Sequence, residues 1–141
     1  MYEDYTRQAL PSKYYRELLG SAMCVFNSNN AFIIENILKM DKDNKYDWYK
    51  LIDKTSGQLK SAVEHIFISQ LGKEITQLFR ELVDKRNRLI HSFQITDSDG
   101  EQRLATKDRN NNQDVISENM LLDFIKLNEE LSSKLHKLRG Y

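Results

Sequence analysis

KEITQLFRELVDKRNRLIHSF, residues 73–93, carries apolar side chains at Ile75, Leu78, Phe79, Leu82, Val83, Leu89 and Ile90. That spacing is one buried face of an α-helix. At about 100° per residue, Arg86 falls roughly 20° from Ile75, in the middle of the apolar stripe. A guanidinium there is costly to desolvate unless it meets a carboxylate, reaches water at a cleft, or sits where another chain closes over it. His91 lies about 140° further round, with Asn87 one turn before it on nearly the same side. His91 also falls where the helix should end. Imidazole there can take and give a proton near neutral pH, which suits general acid or base chemistry.

Upstream, Pro11-Ser12 reads as the entrance of a helix reaching about Leu38, with a stripe of Leu18, Ala22, Val25, Phe26, Ile33 and Ile37. Asn29 and Asn36 share that side and read as buried amides bonded to neighbouring backbone. Tyr46–Ile52 reads as a short amphipathic lid bearing Trp48, Tyr49, Leu51 and Ile52. Thr55 and Gln58 have capping-box spacing, so a helix should start there and end at Gly72. His65, beside Glu64, reads as a surface histidine.

Downstream, Phe93–Ile95 and Arg103–Thr106 around Asp97-Ser-Asp-Gly100 read as a short hairpin, and Lys107–Gln113, with its asparagine run, as an exposed loop. The final helix, about Ser117–Arg139, repeats Leu121, Phe124, Asn128, Leu131, Leu135 and Leu138 at heptad spacing, which suits either a dimer seam or packing within the chain. The fold expected is all-α: a single-domain, up-and-down bundle of four to five helices over residues 1–141, with a small hairpin or loop inserted before the last helix.

The 141 residues include 21 basic and 21 acidic side chains, for a net charge of +0. That balance argues against binding nucleic acid through bulk field and leaves room for a local basic site. Arg88, Arg103 and Lys107 are the candidates for RNA contact around it, though nearby Asp97, Asp99, Glu101 and Asp108 offset the loop cations. A single cysteine, Cys24, excludes an intramolecular disulfide and reads as a core thiol. With no signal peptide and no apolar run long enough for a membrane span, the expected location is cytoplasmic. Five scattered glycines supply no phosphate loop, and isolated His65, His91 and His136 supply no metal-ligand spacing, so neither cofactor nor metal is expected.

Arg86-Asn-Arg-Leu-Ile-His91 resembles the Arg-x4-6-His signature of the HEPN superfamily of small helical bundles, where a polar residue, commonly Asn, often follows the arginine. The resemblance covers the motif helix closely and the rest of the chain through helix count and length. It implies a metal-independent endoribonuclease built at a homodimer interface, of the kind used as toxins or antiviral effectors, with an antitoxin or other regulatory protein as a further partner. Arg86 would then stabilise charge on the scissile phosphate, His91 would serve attack by the 2′-hydroxyl, and Asn87 would orient either group. Family toxins that are modified on a tyrosine two residues after the histidine differ from this chain, which has Phe93 there. The alternative is a non-catalytic helical dimerisation, regulatory or antitoxin-like module, in which Arg86 pairs with a carboxylate such as Glu35 or Glu64.

Overall fold

The computed structural model describes residues 2–54 and 56–140. Among them are five helices and three strands: α1 Lys13–Met40, α2 Trp48–Asp53, α3 Ser56–Ile66, α4 Gln70–Ile90, β1 Phe93–Thr96, β2 Gln102–Lys107, β3 Gln113–Val115 and α5 Glu118–Arg139. The protein is thus mostly helical, with a small sheet before the last helix. Serine hydroxyls open three of the long helices. Ser12, Ser69 and Ser117 each accept a hydrogen bond from the backbone N–H three residues on, satisfying a donor the helix itself cannot.

Side-chain pairings fix the helix directions. Tyr15 reaches Ile116, Asn29 reaches Asn128 and Arg139 reaches Glu35, so α1 and α5 run parallel. Lys134–Glu74 makes α4 antiparallel to α5, because Asp123 lies near the other end of α4 beside Lys85. The pairs Lys60–Asp84 and Glu64–Arg80 make α3 antiparallel to α4. Three helices therefore point one way and α4 the other, rather than the strict alternation expected from the sequence. The physical reason is α2, along which the chain crosses back before α3 starts; Leu51 is buried there while Tyr49 and Ile52 face solvent.

The core centres on Phe26, whose ring lies 6.4 Å from that of Phe79 and 6.2 Å from that of Phe124 at shallow interplanar angles. Leu121, Phe124, Leu131 and Leu135 of α5 are buried in the same cluster. The heptad stripe is thus covered by its own chain. Asn29 donates to the Asn128 carbonyl at 2.7 Å and to its Oδ1 at 3.0 Å, while Asn128 and Asn36 donate to carbonyls one turn back. These amides are satisfied buried groups, as expected. Cys24 is not in the core. It is exposed, because α1 turns its Ala22 and Phe26 side inward.

The helix expected to end at Gly72 ends earlier, at Ile66, and the one expected from Lys73 already begins at Gln70. Chain direction reverses at Phe67–Ser69, and Gly72 sits in the first turn of α4, three residues before the point where the sequence pattern alone would place the helix's first apolar side chain. It is buried, and a Cβ there would stand 2.7 Å from the Phe67 carbonyl carbon. Backbone cannot yield as a flexible side chain would. Gly72→Ala is expected to cost about 1–3 kcal/mol through overpacking, read as a lower urea midpoint at unchanged slope. Thr55, half of the expected capping box, lies outside the described residues.

The expected hairpin is a three-stranded antiparallel meander, with Phe93 opposite Ala105 and Ala105 opposite Val115. Both turns are built alike. Asp97 Oδ1 accepts from the N–H groups of Asp99 and Glu101, and Asp108 Oδ1 accepts from those of Asn110 and Asn112. Gly100 and Asn111 adopt the positive φ that each turn requires. The asparagine run is therefore the second turn of the sheet, and β3 follows it.

Tyr15 fastens the sheet to α1. Its hydroxyl donates to the Ile116 carbonyl at 2.7 Å and accepts from the Leu104 N–H at 3.1 Å. Burial pushes the phenol above its ordinary value, with the Leu104 N–H and the Arg103 guanidinium pulling the other way. A phenol whose folded pKa is raised binds its proton more tightly in the native state. Its contribution is whole below the ordinary value near 10 and is lost as pH rises through the folded value. Tyr15→Phe should therefore lower stability at pH 7 by about 1–2 kcal/mol and flatten the decline above pH 10, in denaturation midpoints measured at both pH values.

Candidate active site

α4 positions the candidate residues. Ile75, Phe79, Leu82 and Val83 are fully or almost fully buried and Leu78 nearly so, which fixes the helix's rotation about its axis. Leu89 packs partly against the core, whereas Ile90, expected on the stripe, is exposed. Arg86 is half-buried on the inward side.

The Arg86 guanidinium carbon lies 5.4 Å from the centre of the Phe26 ring, and Nη1 is 3.4 Å from Asn87 Oδ1. The π face of Phe26 gives the cation an attractive partner in place of water. Among the described residues Arg86 has no carboxylate partner. Glu35 pairs with Arg139, and Glu64 pairs with Arg80. The guanidinium is thus held from below by an aromatic ring and steadied at one edge by an amide. Its remaining donors are uncommitted.

His91 is the C-cap of α4. Its N–H donates to the Asn87 carbonyl at 3.0 Å and Ser92 Oγ donates to the Leu89 carbonyl at 2.6 Å, so the helix end is satisfied without the imidazole. That ring is exposed, and no hydrogen bond, ion pair or ring contact joins it to Arg86 or Asn87. The three residues share one helix end, with His91 leaving it well round from Arg86. Ile90 and Phe93, on either side of His91, expose 48% and 38% of their surface, an apolar margin beside a free imidazole.

No family model, curated protein or solved structure matches the chain.

The outlying cations separate. Arg103 lies 4.7 Å over the Tyr15 ring, 3.6 Å from an Asp97 oxygen and 3.4 Å from a Glu118 oxygen, and so is committed to holding β2, α1 and α5 together. Lys107 is exposed and donates to Asn111 across the second turn at 3.2 Å. Arg88 is exposed on α4 and contributes to holding the Asp108 carboxyl below its ordinary value, after the larger effect of the Asn112 amides. Among the described residues no group of three or more His, Cys, Asp and Glu side chains converges to hold a metal ion. Among the described residues, too, no helix is long and apolar enough to cross a membrane.

Three residues that matter at this end of the bundle left no functional trace in the sequence. Phe26 looks like any core aromatic, and its place beneath Arg86 depends on how α1 and α4 cross. Lys85 and Asp123, considered below, are ordinary surface charges until α4 and α5 bring them to one cleft.

Proposed function

We propose that the protein is a metal-independent endoribonuclease of HEPN type, acting as a homodimer and serving as a toxin or antiviral effector. The supporting observation is Arg86: a guanidinium centred on an apolar helix face, seated on Phe26, lacking a carboxylate among the described residues, with Asn87 against it and His91 free at the end of the same helix. In this reading two copies meet over the ends of their α4 helices, covering Ile90 and Phe93 and facing the two arginines across one cleft.

The chemistry needs no resident cofactor. A 2′-hydroxyl of RNA gives its proton to a His91 imidazole as its oxygen bonds to the adjacent phosphorus. The bond from phosphorus to the 5′-oxygen breaks, and that oxygen takes a proton from the other imidazolium or from water. The products are a 2′,3′-cyclic phosphate and a 5′-hydroxyl. Arg86 stabilises the negative charge that builds on the non-bridging oxygens, where a planar fork of donors fits a phosphate. Asn87 orients the guanidinium.

The cation–π contact with Phe26 also suits a second reading, a non-catalytic dimerisation or antitoxin-like module in which Arg86 is a packing residue. RNA cleavage by wild type, Arg86→Ala and His91→Ala in the presence of a chelator separates the two. The nuclease reading requires cutting by the wild type in chelator and its loss in both variants; cutting that survives both substitutions, or none at all by the wild type, leaves the binding module.

A further inference from the structure

α4, α5 and the sheet enclose a cleft of about 130 Å³, room for one planar ring system. Its floor is apolar: Leu89, Phe124, Leu127 and Ile116. Its rim is charged on both sides, with Lys85 and Arg88 along α4 and Asp123 facing them from α5, while Thr106 reaches in from β2. Among the described residues none of these three charged side chains makes an ion pair or hydrogen bond, even though they border the same opening. A purely apolar ligand would leave the rim unused, and a simple anion would meet Asp123.

We infer that this cleft is a base-binding subsite that takes guanine from a strand of RNA. An ionised carboxylate only accepts hydrogen bonds, so the base edge it meets must donate. Guanine presents two adjacent donors, its ring N–H and its amino group, and carries no acceptor between them. Adenine, cytosine and uracil each place an acceptor beside any donor on that edge. The apolar floor takes the ring face, and Lys85 and Arg88 lie on the side from which the attached phosphates would emerge. Position along α4 agrees: Arg88 precedes His91 by three residues, about 4.5 Å along the axis and 60° around it, so the cleft opens within one nucleotide of the imidazole. The inference rests on the ribonuclease reading for its RNA substrate, but the cleft can be tested without cleavage.

Guanosine 5′-monophosphate and adenosine 5′-monophosphate are titrated separately against the full chain, followed by the methyl resonance of Met120, which borders the cleft, and by calorimetry. The guanine nucleotide should bind roughly tenfold more tightly, the size of one good bidentate contact. Asp123→Asn should erase the preference, and Lys85→Ala with Arg88→Ala should weaken both nucleotides alike. All three side chains are exposed, so the variants should fold as the wild type does. No shift at Met120, or an unchanged preference in Asp123→Asn, overturns the subsite. Guanine binding by a chain that cuts no RNA would remove the nuclease and keep the subsite; cleavage sites without guanine at one flank, unchanged in Asp123→Asn, would do the reverse.

Discussion

Arg86→Ala should lower RNA cleavage by about 10²–10³-fold while leaving the unfolding free energy from urea titration within about 1 kcal/mol of wild type. The first number is the usual loss when one group that stabilises developing phosphate charge is removed. The second follows because the guanidinium is half-exposed and joined to the rest of the chain by one ring contact and one long hydrogen bond. Arg86→Lys restores charge without the planar fork and should fall between the two. His91→Ala should cost about 10²–10⁴-fold, the range for a general acid or base, again with little change in stability, because the cap bonds of α4 are backbone and Ser92 bonds. Initial rates on a labelled RNA, measured beside denaturation curves, test all three. A large fall in stability for Arg86→Ala with no loss of rate would make the arginine a packing residue.

Phe26→Ala should produce the largest stability loss of any substitution considered, about 3–5 kcal/mol, because the ring fills the space between Phe79 and Phe124 and its removal leaves a cavity. On a domain of this size that threatens folding outright. Phe26→Leu keeps most of the volume and should cost no more than about 1.5 kcal/mol. It nevertheless removes the π face beneath Arg86, worth about 0.5–2 kcal/mol to a cation. Phe26→Leu should therefore stay folded and lose roughly two- to thirtyfold in kcat, and combining it with Arg86→Ala should add nothing further to the loss of rate. Independent losses in the double variant would mean that Phe26 serves the core alone.

The helices were legible because each long one repeats its apolar residues at helical spacing, and because Ser12 and Ser117 sit where a cap is needed. Their directions were not. Nothing in a sequence tells α1 to lie parallel to α5; that follows from Asn29 meeting Asn128 and Tyr15 meeting Ile116, contacts about a hundred residues apart. Gly72 misled because a helix-ending glycine and a glycine pressed against Phe67 look alike in one dimension. β3 was hidden because three exposed residues carry no periodicity, although Asp108 and Asn111 held the same turn chemistry as Asp97 and Gly100. Within the site, the oddity of Arg86 was readable from spacing alone. What lies beneath it was not, since Phe26 belongs to another helix.

The parallel seam between α1 and α5 also bears on the order of events during synthesis. A ribosome makes α1 well before its principal neighbour α5, so the Phe26 ring waits for Phe124 through almost a hundred codons. Contacts that distant slow a chain's search for its native state. Until α5 has been made, the seat of the arginine has only half of its aromatic stack, so Arg86 gains its full support only when the second ring arrives.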